Sequence, residues 1–157
     1  MRKQTNHHTK LIPALAFALV LACLGLAPAN AKAAGHQSIV GLWNVHYFQG
    51  VTALFETYDQ WHSDGLEFEV NSIAPGAVCQ GTYKTLANGT VQLYHVIYTF
   101  DANGVFNGRI LETQTNTVSA DGTTYSGTFD QKIYDLGGNL IVDITGTLTA
   151  TRVTVRG

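Results

Sequence analysis

The sequence predicts an all-β fold: an eight-stranded up-and-down antiparallel barrel that follows a cleaved signal peptide. Three observations carry this expectation. Short runs rich in Thr, Val, Ile, Tyr and Phe recur along the chain, cut by Gly, Asn and Asp. No long stretch spaces apolar residues at i, i+3, i+4 and i+7, the pattern of an amphipathic helix. The turn residues are regular enough to close one hairpin after another.

Residues 1–33 read as an address. Arg2, Lys3 and Lys10 stand before an apolar run from Leu11 to Leu26 that is interrupted by Pro13. Ala29-Asn30-Ala31 and Ala31-Lys32-Ala33 then both fit a small-residue cleavage site. The run is about 16 residues, against the roughly 20 of a spanning helix, so no stable membrane span is expected. Cys23, after Val20-Leu21-Ala22, raises a lipid anchor as the rival. Bulky Leu21 and an apolar run that continues past Cys23 weigh against it. The expected domain is 34–157, secreted or periplasmic.

Eight candidate strands lie at 39–49, 53–62, 65–71, 77–85, 90–100, 105–116, 123–134 and 140–154. Ser63-Asp64-Gly65, Ala87-Asn88-Gly89, Asp101-Ala102-Asn103-Gly104, Ala120-Asp121-Gly122 and Leu136-Gly137-Gly138-Asn139 supply turn residues that tolerate positive φ. Only the link at 71–76, with Ala74-Pro75-Gly76, lacks a tight hairpin signature. An open meander of this length would leave two edges exposed, and closure removes them.

Alternation assigns faces. In the fifth strand Val91, Leu93, His95, Ile97 and Thr99 share one side, and Gln92, Tyr94, Val96, Tyr98 and Phe100 the other. The first set is expected inside, because Leu93 and Ile97 give it continuous apolar packing. Both sides are apolar, so the outer one needs cover; a homodimer partner and the N-terminal segment are the two candidates. In the eighth strand Leu140, Val142, Ile144, Gly146, Leu148 and Ala150 are expected inside. The Thr row from 145 to 151 is expected in solvent.

Composition narrows the function. Charged residues make up 13% of the 157 and hydrophobic ones 45%, which excludes a charge-rich disordered chain. From Gly35 onward five Lys/Arg stand against eleven Asp/Glu, a formal charge of −6, so no nucleic-acid partner is expected. Cys79 is the one thiol beyond the leader, where burial is its commonest fate.

Few residues carry a chemical signal. His36 lies in the start of the domain, and His46, three residues after Trp43, is expected outside. Tyr58, Gln60 and His62 share a face near a hairpin mouth and, with inward His95 and Ile97, form the expected ligand-binding set. Asp59 and Trp61 share the opposite face. His95 is the candidate general acid/base, since imidazole titrates near neutrality. Glu67 and Glu69 share a face that reads as solvated. The histidines show no metal-ligand spacing, so neither metal nor cofactor is expected. Hydrolase elbows and phosphate-binding glycine loops are also missing. Asn88-Gly89-Thr90 fits a glycosylation acceptor, but a turn explains its Asn-Gly equally well.

Gly41-Leu42-Trp43 opens the first strand, and Arg152 sits near the end of the last. A G-x-W followed by an eight-stranded meander resembles the calycin group of lipocalins, fatty-acid-binding proteins and avidins. The resemblance implies that Trp43 closes the barrel base with Arg152 stacked across it, a cation–π contact of about 0.5–2 kcal/mol. The lipocalin T-D-Y motif and C-terminal helix are missing. Allene oxide cyclases and dirigent proteins are similar in outline. These likenesses, with fifteen aromatics beyond the leader, imply a binding protein for a small hydrophobic molecule. The alternative is a barrel cyclase or isomerase using a His or Tyr as acid/base. N-terminal sequencing of the exported protein should begin between Lys32 and Gly35; a start at Met1 or at a lipid-modified Cys23 would overturn the leader reading.

Overall fold

A computed structural model describes residues 35–74 and 76–155. The leader and Cys23 readings lie outside these residues. Eight strands form one closed barrel in chain order: β1 Gly41–Gln49, β2 Thr52–Trp61, β3 Leu66–Asn71, β4 Val78–Thr85, β5 Val91–Phe100, β6 Phe106–Val118, β7 Thr124–Asp135 and β8 Leu140–Arg152. Every neighbour pair is antiparallel, and β1 hydrogen-bonds to both β2 and β8. The boundaries agree with the sequence expectation to within two residues. The first strand starts late because Ile39 leaves the sheet to cover the barrel's end.

The turns divide between two ends. The links at 50–51, 72–77, 101–105 and 136–139 surround one end, here called the mouth. The links at 62–65, 86–90 and 119–123, with residues 36–40, surround the base. Base turns are held by their own side chains. Asn88 Oδ1 accepts from Thr90 N, and Asp121 Oδ1 accepts from Thr123 N and Ser119 Oγ. Gly89 and Gly122 take φ values of 84° and 72°, so turn geometry accounts for the Asn-Gly pair.

Large rings close the base. Trp43, Trp61 and Tyr125 are buried, with Trp43 and Tyr125 centroids 4.9 Å apart, edge to face. The Trp43 indole N–H donates to Ile39 O at 2.7 Å, fixing the lid residue. The Arg152 guanidinium lies 4.0 Å over the Trp43 ring. It also donates to Val40 O, Ser38 O and Gly122 O at 2.7–2.8 Å. The stack is the one the calycin resemblance implied, and the further bonds let one cation tie together the entering chain, the last strand and the β6–β7 turn.

The Thr row of β8 is exposed, and Leu148 and Ala150 are buried. Toward the mouth the expected inner row fails at Leu140. Ile133 pairs with Val142 and Tyr134 with Leu140, so Ile141 bulges and the parity flips. Leu140 is thereby turned out and exposed, whereas Val142 keeps the inner parity, continuing the Ile97–Ile110–Ile133 row, and is 38% exposed at the mouth.

Truncating Trp43 to Ala should destabilise the barrel by about 3–5 kcal/mol, since a buried ring and its contacts are lost together. Urea unfolding monitored by far-UV circular dichroism checks this. An unchanged midpoint would show that Trp43 does not close the base.

Candidate functional site

Midway along the barrel the inner wall turns polar. Glu67, Gly81, His95, Glu112 and Gln131 form one cross-strand row from β3 to β7. Gly81 makes the row work. A Cβ there would lie 2.6 Å from the His95 Cβ, so only glycine leaves room for the imidazole. His95 Nδ1 thereby reaches Glu67 Oε2 across β4 at 3.2 Å. On its other side Nε2 lies 3.5 Å from Glu112 Oε2, near enough for charge attraction but outside hydrogen-bond geometry. Gln131 Nε2 donates to the same Glu112 oxygen.

Further groups extend the layer. Tyr47 Oη is 3.0 Å from Glu69 Oε2 and 3.3 Å from Glu112 Oε1, and accepts from Gln114 Nε2 at 2.7 Å. Gln114 also donates to Glu112, and Asn116 donates to Gln114. Asp59 accepts from Thr57 at 2.5 Å and Tyr125 at 3.0 Å. The buried Cys79 thiol donates to Glu69 Oε1 at 3.4 Å. Thus four of the eleven acidic residues sit inside the barrel with one imidazole.

Burial governs their protonation. Loss of solvent pushes Glu69 up to about 7, with the attraction of His95 opposing it and the repulsion of Glu112 and Glu67 adding to it. Asp59 is held well above the usual carboxylate range, again by burial first and then by Glu69 and Glu67. Glu67 is raised by burial, against the pull of its His95 bond. Burial by itself would lower His95, but Glu112 and Glu67 outweigh it and hold the ring well above ordinary histidine. The layer therefore stores protons near neutral pH as imidazolium and neutral carboxylic acid. Among the described residues no three His, Cys, Asp or Glu are placed to hold one metal ion.

Above this layer Ile97 pairs with Ile110, one pleat from the His95–Glu112 pair. The two isoleucines floor a cleft of about 650 Å³ at the mouth. Its walls are the β3–β4 link, with Ile73, Ala74 and Ala77, and the β5–β6 end, with Phe100 and Ala102. Asn71 Oδ1 accepts from Ile73 N and Ala74 N, and Asp101 Oδ1 accepts from Asn103 N and Val105 N. Both walls are thus braced by their own side chains.

His95 is fully buried inside the barrel, and Ile97 lines the cleft. Tyr58, Gln60 and His62 point outward and join neither cleft nor polar layer; their partners on the other face, Asp59 and Trp61, are the inward pair. The alternation holds, but the buried face is the one whose acid finds two hydroxyl donors. Glu67 and Glu69 correct the solvated-face reading, for both are buried. Leu66 and Val70 are exposed instead, so β3 is inverted relative to its hydropathy. His46 is outside, as expected. Sequence reasoning missed Tyr47, Glu112, Gln114 and Gln131. Tyr47 was within reach, since it shares parity with Trp43.

The raised carboxyls set the sign of the pH response. Glu69 titrates at about 7 in the fold against 4.5 unfolded, so the folded chain holds more protons between those values. Its stabilising contribution is complete below 4.5 and lost as pH rises through 7. His95, also raised, loses its contribution in the same direction. The urea midpoint should therefore fall from about pH 5 to about pH 8, and Glu69→Gln should flatten the fall below pH 7. A midpoint that rises over this range would contradict the protonated layer.

No protein-family model matches the chain, and no curated protein or solved structure matches it either.

Proposed function

We propose that the chain is an exported binding protein that holds a small hydrophobic molecule in the mouth cleft. The cleft carries the reading. Its 650 Å³ falls within the roughly 300–1,000 Å³ of small-molecule sites, and its floor and walls are chiefly aliphatic and aromatic. Asn71 and Asp101 brace the walls, which lowers the ordering cost of binding. Thr99, also in the lining, offers a hydroxyl to orient the guest. The calycin-like outline and the leader, which would deliver the chain to the periplasm or the exterior, support the same reading.

One observation favours a second reading, a cyclase or isomerase. The His95–Glu112 pair lies directly beneath the Ile97–Ile110 floor. An imidazolium there has a proton to give, and the imidazole left behind can take one back. In that case the substrate crosses the isoleucine layer to meet His95.

Binding of the neutral apolar dye N-phenyl-1-naphthylamine tests the first reading. Ala77→Trp, which fills the cleft, should weaken dye binding at least about tenfold and leave the unfolding midpoint unchanged. His95→Gln should leave dye affinity intact, because the isoleucine floor separates them. Undiminished binding in Ala77→Trp would remove the cleft as the site.

A further inference from the structure

The two ends of the barrel are built from different turns. Each of the four mouth turns presents an apolar residue at least 60% exposed: Val51, Ile73, Val105 and Leu136. Phe100 and Phe106, both exposed and packed edge to face, add rings beside the β5–β6 turn. The three base turns present Ser63-Asp64, Ala87-Asn88 and Ala120-Asp121 instead. Up-and-down topology brings alternate turns to the same end, so the sequence has separated apolar from polar turns by parity. Exposed apolar surface gathered in this way marks an interaction site.

The charges choose the partner. Mouth turns 50–51, 72–77, 101–105 and 136–139 contain no Lys or Arg. Asp101 lies in one of them and Asp135 borders another, each bonded to its own turn and held below the usual carboxylate range by those bonds. A symmetric mouth-to-mouth pair would bring two sets of these carboxylates to one interface with no cation in the turns to offset them. An anionic surface would repel them as well. A zwitterionic lipid surface takes apolar side chains into its interface and imposes no net field on the carboxylates. The rim is also continuous with the cleft, because Ile73 and Phe100 belong to both.

We propose that the mouth rim docks on a zwitterionic lipid bilayer, and that the cleft takes its guest, a molecule with a hydrocarbon tail, directly from that bilayer. The proposal rests on the cleft being the ligand site. Aromatic rings at the rim suit the headgroup level, where amphipathic and aromatic side chains concentrate. The base, with Trp43 and Trp61, faces away from the lipid.

Vesicles of phosphatidylcholine brominated along the acyl chains provide the test. Val105→Trp places a reporter at the mouth, and Asn88→Trp places one at the base. Emission from Val105→Trp should be quenched, and emission from Asn88→Trp should stay within the background set by buried Trp43 and Trp61. In flotation, Phe100→Ser/Phe106→Ser should lower vesicle partitioning about tenfold or more, since two rings no longer enter the interface. Equal quenching at both ends, or quenching at Asn88→Trp alone, would overturn the proposal. So would a blue shift of Val105→Trp without vesicles accompanied by a doubled mass, which would assign the rim to a second copy. Dye binding without vesicle contact overturns the docking and leaves the cleft reading standing. Vesicle contact without dye binding removes the cleft reading and, with it, the uptake of a guest.

Discussion

Because β1 pairs with both β2 and β8, the sheet has no free edge, and its inner face becomes a chamber of fixed width. Eight strands leave an interior just wide enough for side chains to fill. Every inward residue therefore competes for the same volume, and the order of filling follows. Indoles, Tyr125 and the Arg152 lid occupy the base. A hydrogen-bonded layer occupies the middle. The mouth keeps open space, a cleft walled by the β3–β4 and β5–β6 links.

The middle layer is the costly part of this arrangement. Removing four carboxyls from water is unfavourable unless partners replace the lost solvent. Here hydroxyls, amides, one thiol and one imidazole supply them, and protonation removes part of the charge. Such a layer also specifies register. A one-residue slip of β3 would turn Leu66, Phe68 and Val70 inward against Asp59 and His95, and would strand Glu67 and Glu69 outside. An aliphatic middle would tolerate that slip far better.

The strand count, the turns and the base were legible because each rests on a local rule. Asn-Gly and Asp-Gly fix hairpins, and Gly41-Leu42-Trp43 with Arg152 marks the closing point. His95 was placed correctly, since Leu93 and Ile97 share its parity. The acids were not legible. Alternation gives two faces but does not name the inner one, and hydropathy names it wrongly where the barrel buries charge. In β3 the apolar residues lie outside. In β6 both faces are polar, Glu112, Gln114 and Asn116 within and Thr113, Thr115 and Thr117 without, so no contrast exists to read. The pairing of His95 with Glu67 depends on Gly81 on the strand between them, a relation that no local pattern records.

The Arg152 lid has a consequence for the timing of assembly. Its bond to Val40 joins positions 112 residues apart, and its bond to Ser38 spans 114. Contacts this distant in sequence form slowly, because the whole intervening chain must be ordered first. β1 waits for β8, and the ring stays open until the last strand has left the ribosome. Placing the clasp at the last strand therefore keeps the ring open while the seven strands before it are made, with the delay written into topology.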